Sequence, residues 1–429
     1  MELADIGGRD ARMPDGTVRG PRLYDSIVIN SNGIGAITFA ARMARDPAFA
    51  GKVVVAAKPV VESRRLDDGC TLRARSIDYY AAANGVSREA VLTSIFGTDW
   101  RAAETDRQRA ALCVRGADGR GREIVNPVTF MEAGIVKPDR APFVPFAYGI
   151  RNSRLAGALN DLARASGVQF VHEPAATMDD LRALAKGQRP LIVNGTPKPI
   201  SGAAWQHKPP APKHFVAAAQ MAFTAPWLEA KGKIGPQDSF VGMVNRDGAL
   251  DLCVFYPFQD PLSPNARFYG IFYRAIRHAD AAGKAEQQTV LQQQLEDVAD
   301  ALGLSPDDPD ETMMHAFVPV SPWRYIPSRQ AGVLDLSRIS GGGCPIIAGD
   351  GMARVGLGGL AAAEAILAGA SPEDAMNRAL TRWRQTNFVQ YVAMTQMPRL
   401  SAFAMKKFPG AALAGFGLQR DWDMWAGAY

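Results

Sequence analysis

Residues 24–45 read YDSIVINSNGIGAITFAARMAR, and the fold turns on how they are read. Ile27 to Ile29 are an apolar, β-branched run. Asn30-Ser31-Asn32-Gly33-Ile34-Gly35 is small and polar, and an alanine-rich pattern at helical spacing follows. The expectation is a strand, a tight turn and a helix. Such a turn leaves the helix's first N–H groups unpaired and aimed at one spot, where a phosphate gains hydrogen bonds and the positive end of the dipole. The usual dinucleotide fingerprint is G-x-G-x-x-G. Aligned on the strand end, Asn30 and Asn32 stand at its first two glycines and Gly35 at its third, with Gly33 as an extra small residue. Asn is the side chain that best tolerates left-handed backbone angles, so the turn is retained. Gly35 is expected to allow close helix–strand packing.

Outward from this unit, Lys52 to Ala57 (KVVVAA) reads as a second buried strand, completing a β-α-β unit. The acid that normally ends this strand and holds ribose hydroxyls is absent: Ala57, Lys58 and Pro59 stand there, and Glu62 is the nearest carboxylate. Arg64, Arg65, Arg73 and Arg75 follow closely. A bidentate contact to a pyrophosphate falls to this group, with Arg65 and Arg73 as candidates.

At 429 residues, 47% hydrophobic and 21% charged, the protein is expected to be soluble and globular with two or three lobes. No apolar run is long enough to span a bilayer, and the first residues show no charged-then-apolar signal pattern. A cytoplasmic protein without a membrane partner is the expectation. Cys70, Cys113, Cys253 and Cys344 are scattered, suggesting neither a disulfide framework nor a zinc site. The net charge of +5 shows no basic stripe with interleaved aromatics, so nucleic acid is not expected. His172, His207, His214, His278 and His315 have no metal spacing.

Residues 1–22 read as a loose leader, and the stretch from Pro127 to Pro145 as irregular. SRLAGALNDLARAS, residues 153–166, reads as a helix stopped by Gly167 and followed by the strand Val168 to Val171. Leu191 to Val193 is a further strand, ending at Asn194-Gly195. From Phe215 to Arg274 short aromatic-rich strands point to antiparallel sheet. A helix over 280–302 presents Leu291, Leu295 and Leu302.

The second informative stretch is GGGCPIIAGDGMARVGLGGLAAAEAILAGA, residues 341–370. Pro345 to Ala348 reads as a strand ending at Gly349-Asp350, followed by a glycine-rich loop and a helix starting near Leu360. Asp350 can accept hydrogen bonds from sugar-type hydroxyls, and free amides at Gly358, Gly359 and Leu360 can donate to an electron-rich carbonyl. Ser371, Pro372 and Asp374 read as the cap of a further helix.

Taken together and in order, these pieces resemble the flavoprotein monooxygenase superfamily typified by p-hydroxybenzoate hydroxylase, which includes styrene monooxygenases, flavin-dependent halogenases and geranylgeranyl reductases. The resemblance covers the strand–turn–helix, the Arg151 to Val171 pattern (R-x-x-x-L helix, G-V, strand) and the Gly349-Asp350 turn. It implies FAD bound without a covalent tether, with Asn30, Asn32, Gly33, Gly35, Arg65, Arg73, Arg151, Gly349 and Asp350 around the cofactor. Asp350 would take the ribityl hydroxyls, and Gly358, Gly359 and Leu360 would face the flavin. It also implies a monooxygenase acting through a flavin C4a-(hydro)peroxide on a small or medium-sized, largely apolar organic molecule in specialised metabolism. A flavin dehydrogenase, oxidase or halogenase, or a fold relative that has lost FAD, are the alternatives. Catalytic side chains are not assigned.

Two motifs depart from the family pattern. G-D-A-A-H is here Gly349-Asp350-Gly351-Met352-Ala353, and the mid-sequence D-G is Asn194-Gly195. The second departure leans towards electrons supplied by a separate flavin reductase. Trp323 to Pro327 is similar to the halogenase W-x-W-x-I-P, one residue short. The expected architecture is α/β: a doubly wound, Rossmann-like FAD domain from 22–200 and 332–395, a β-sheet substrate domain at 201–331, and a C-terminal helical segment, 396–429. The C-terminal aromatics Trp422, Trp425 and Tyr429 read as a homodimer contact, a cover for the site or simple packing.

Overall fold

The computed structural model describes residues 23–61, 70–98, 104–105, 107–115, 122–129, 147–196, 198–207, 214–224, 238–246, 249–257, 268–277, 284–307, 314–320, 329–337, 351–381, 392–393, 397–408 and 411–412. Arg64, Arg65, Gly349, Asp350, the expected strand from Pro345, Trp323 to Pro327, residues 1–22 and the aromatic tail lie outside them. Arg73 and Arg75 are described only in their backbone.

Strand β1 (Ser26–Ile29) is buried at all four positions, and α1 (Ile34–Ala44) follows four residues later. β2 (Val53–Ala56) pairs parallel with β1, Ile27 opposite Val53. β3 (Cys70–Arg73), α2 (Ala74–Asn84) and α3 (Arg88–Phe96) come next. They are followed by β4 (Glu104–Thr105), β5 (Arg107–Arg115), β6 (Arg122–Thr129) and β7 (Ala147–Ile150). α4 (Asn152–Ala165) ends at Gly167, whose φ of 96° is a conformation that suits glycine. β8 (Gln169–Val171), α5 (Met178–Ala183) and β9 (Pro190–Asn194) complete this part.

With β18 (Val333–Asp335), numbered after the strands between, these form a wholly parallel five-stranded sheet of order β18-β9-β1-β2-β8. In order of occurrence in the sequence this is 5-4-1-2-3, the order of the doubly wound nucleotide-binding fold, and it reverses between β1 and β9. Near-continuous apolar strands are what a sheet covered on both faces requires. Ile27, Ile29, Val53, Val55, Leu191 and Val193 face one side, under α1 and α4, while Val28, Ala56 and Ile192 face the other, with Met178 and Leu181 of α5. Each such fully buried aliphatic side chain stabilises the fold by about 1.5–3 kcal/mol.

The second lobe begins after β10 (Trp205–His207) with β11 (His214–Thr224), β12 (Asp238–Arg246), β13 (Ala249–Pro257) and β14 (Phe268–Arg277). α6 (Lys284–Leu302), β15 (Ser305–Pro306), β16 (Met314–Val320) and β17 (Arg329–Gln330) follow. The sheet runs β15-β11-β14-β13-β12-β5-β6, with β16 also on β11. Two strands read from the sequence with the first lobe, β5 and β6, pair in this sheet, β5 lying parallel to β12 with Phe240 opposite Arg109. Without β5 the apolar strand VGMV of β12 would be a sheet edge with unpaired backbone groups.

Alternation splits this sheet into two faces. Ala217, Ala219, Met221, Phe223, Phe255 and Phe272 meet Leu291, Leu295, Val298 and Leu302 of α6. Arg274 on the same face donates to Asp251 through Nε (3.0 Å) and Nη2 (2.7 Å), a fully buried pair. Cys253 is buried, and its Sγ donates to Gly242 O (3.6 Å). The opposite face carries Gln220, Leu252, Val254, Tyr256 and Tyr269, all buried, and the Tyr269 hydroxyl donates to Gln220. The last helices are α7 (Gly351–Leu367), α8 (Pro372–Thr381) and α9 (Pro398–Lys407). Ser371 accepts from Asp374 N at 3.1 Å and donates to its carboxylate at 2.8 Å, a reciprocal cap on α8.

Candidate functional site

Ligands of open α/β sheets bind beyond the carboxyl ends of the strands where the order reverses. Here that place lies between the ends of β1 and β9. α1 begins there with Gly33 as its N-cap, at an ordinary φ of −65°, with no side-chain cap and no acid in its first turn. The Gly33 amide donates to Ser31 Oγ (3.1 Å), and the first intrahelical bond is Ile37 N to Gly33 O. The amides of Ile34, Gly35 and Ala36 thus have no acceptor within the helix. Two exposed lysines, Lys58 after β2 and Lys198 after β9, follow the strands on either side of β1. Neither makes an ion pair among the described residues.

The asparagines do something other than relax the backbone. Asn30 Nδ2 donates to Asn194 Oδ1 (2.9 Å), and Asn30 Oδ1 accepts from Gly195 N (2.9 Å). Asn194 Nδ2 donates to Lys198 O (3.1 Å) and Asp335 Oδ1 (3.4 Å), and Ser337 Oγ donates to the same Asp335 oxygen. A run of hydrogen-bonded side chains therefore links the ends of β1, β9 and β18. Asn32 Nδ2 donates to Lys58 O (2.6 Å), and the buried Asn160 of α4 donates to Asn32 O (3.1 Å). Gly195 lies against the α1 turn, where a Cβ would come 2.6 Å from Ser31 Cβ and 2.9 Å from Ala36 Cβ. Asn194 stands out in the sequence only as a departure from a motif. Asp335, 141 positions away, gives no local signal.

Arg151 is 3% exposed at the N-cap of α4, with its carbonyl accepting from Leu155 N. Arg73 ends β3, paired with Ala147 of β7.

Two expectations are corrected. Gly35 packs on a helix rather than a strand: a Cβ there would come 2.8 Å from Val355 Cγ1 of α7. Gly358, Gly359 and Leu360 do not open a helix but lie inside α7, which starts at Gly351. Their amides are spent on intrahelical bonds. A Cβ on Gly359 would overlap Gly35 O, so its smallness serves the α1–α7 crossing, and Leu360 is buried with Tyr79 and Ala83 of α2. The free amides of α7 are those of Gly351, Met352 and Ala353.

No family model matches the chain, and no curated protein matches it. Among solved structures, FqzB is similar at 13% identity with a TM-score of 0.52, covering 92% of this chain and 89% of that one. The tetrameric form of 2-methyl-3-hydroxypyridine-5-carboxylic acid oxygenase overlays at 0.49, with 14% identity and 92% and 96% coverage. A ternary complex of aklavinone-11 hydroxylase with FAD and aklavinone overlays at 0.46, with 17% identity and 92% and 71% coverage. The first overlay establishes the class: the protein has the α/β fold of FqzB, a Rossmann-like sheet joined to a large, mostly antiparallel one. The two weaker overlays do not carry the same inference.

Proposed function

We propose that the protein binds FAD non-covalently and is an oxidoreductase inserting oxygen into a small or medium-sized organic molecule. The observation that carries this reading is the uncapped start of α1 at the reversal of the strand order, with three free amides, no acid in its first turn and lysines on both flanks. That donor set fits a pyrophosphate. The FqzB-like fold and the order of the motifs support the same assignment.

Ile34, Gly35 and Ala36 would hold the phosphates, with Lys58 and Lys198 beside them, Asn30 and Asn32 shaping the turn and the buried Arg151 behind it. Asp350 would take the ribityl hydroxyls, and the amides of Gly351 to Ala353, rather than those of Gly358 to Leu360, would face the ring. Arg65 and Arg73 remain candidates for the pyrophosphate. FAD supplies the activation of oxygen, and the protein's part is to bind, orient and exclude water. The buried face carrying Leu252, Val254, Tyr256, Tyr269 and Gln220 suits a largely apolar substrate with few hydrogen bonds. Asn194-Gly195 in place of D-G supports electrons arriving from a separate flavin reductase.

A second reading has its own observation. The Asn30–Asn194 bridge spans the very crevice used by nucleotides, which favours a protein that has given up FAD. The colour of the purified protein separates the two. On the first reading it is yellow, releases FAD on heat or acid denaturation, and loses affinity roughly ten- to a hundred-fold on Asp350→Ala. Asp374→Ala, at the α8 cap, lowers only the melting temperature. A colourless protein that takes up no FAD in a fluorescence titration sinks the proposal.

A further inference from the structure

α9 (Pro398–Lys407) turns Ser401, Ala402 and Met405 inward onto β12 and β13. Its outer face is unusual for this molecule. Met397, Leu400, Phe403 and Phe408 are 45%, 54%, 55% and 64% exposed, four of the nine exposed large hydrophobics among the described residues. At about 100° per residue, Met397, Leu400 and Phe403 fall on one ridge with Lys407, and Arg399 and Lys406 border it on one side. Arg399, Lys406 and Lys407 are exposed.

Charge singles out what this ridge would meet. Between Ala375 and Arg420 the sequence carries Arg378, Arg382, Arg384, Arg399, Lys406, Lys407 and Arg420 and no Asp or Glu. That is seven positive charges in a protein whose net charge is +5, so the rest of the molecule is acidic on balance. A convex apolar ridge bordered by cations, within a segment lacking acids, is the pattern of a helix lying in the headgroup region of an anionic bilayer. We propose that α9 is a peripheral docking surface for an anionic lipid membrane, with Met397, Leu400 and Phe403 entering the apolar boundary and Arg399 and Lys407 meeting lipid phosphates. This departs from the expectation of no membrane partner, which rested on the lack of a spanning run. No helix among the described residues is long and apolar enough to cross a membrane, and lying on the surface requires none.

The test is vesicle co-sedimentation of the full-length protein. Phosphatidylcholine vesicles are compared with vesicles in which about three lipids in ten are phosphatidylglycerol, at low and high salt. Binding should be at least roughly tenfold stronger to the anionic vesicles and weaken with salt. L400D/F403D and, separately, R399E/K407E should each remove most of it while the melting temperature stays unchanged, since all four side chains are exposed. Absence of binding, or equal binding to both vesicle types, overturns the proposal. So does a change of sedimentation coefficient on L400D/F403D with vesicle binding intact, which would give the ridge to a second copy of the protein.

Discussion

Asn194 shows what one carboxamide carries here. It is 2% exposed, and its side chain serves Asn30, Thr196, Lys198 and Asp335 at once. Replacing it by leucine keeps the volume and removes its hydrogen bonds to the buried Asp335 and the half-buried Asn30 and Thr196, at a cost of about 1–3 kcal/mol. Because Gly195 rests on Ser31 and Ala36 of the α1 turn, the same change should, on the proposed reading, also weaken FAD binding. Urea unfolding and an FAD titration of Asn194→Leu measure both effects. An unchanged midpoint and unchanged affinity would mean that the bridge across the sheet edge holds nothing. The asparagines at 30 and 32 were legible as departures from a glycine motif. That they are fastened to neighbours 164 and 26 positions away was not, because a hydrogen bond between distant strand ends leaves no periodicity in either segment.

Among the elements, the crossing of α1 and α7 is a tight constraint. Gly35 meets Val355, and Gly359 meets the backbone of Gly35 and Phe39. Gly359→Ala should force the helices apart and destabilise by about 1–3 kcal/mol, as overpacking does. Gly157, inside α4 with nothing near its missing Cβ, is the contrasting case. Gly157→Ala should stabilise by up to about 1 kcal/mol through helix propensity alone. Thermal melts of the two variants decide the matter, and shifts of the same sign would refute the packing account. His315, on β16 near Gln288 of α6, is held below its ordinary value of 6.5 by burial, opposed by a backbone hydrogen bond at Gln288. The folded protein therefore takes up this proton later than the unfolded one. Its stability is intact above the ordinary value and declines as the pH falls from there towards the folded value. Unfolding compared at about pH 7.5 and about pH 5.5 should show that decline, and His315→Gln should lessen it. An equal decline in both proteins would assign the dependence to other groups.

In the whole molecule, a small three-stranded sheet of order β3-β7-β4 meets the large sheet where Gly149 of β7 lies against Pro257 of β13, too closely for any side chain. Residues 24–45 alone determined a strand, a turn and a helix, and with Lys52 to Ala57 the parallel pair at the centre of the first sheet. Those signals are local, since a buried strand must be apolar throughout and a helix start must leave amides free. The helix read over 280–302 with its three leucines, found here as Lys284–Leu302, the stop at Gly167 and the cap at Ser371 were legible for the same reason. Only the tertiary structure decided that β5 and β6 belong to the large sheet, because a parallel partner is chosen by an open edge and not by the strand's own pattern. It also decided that the glycine at 359 serves helix packing. A small residue reads alike in a loop and at a crossing, and only the approach of α1 shows which of the two demanded it.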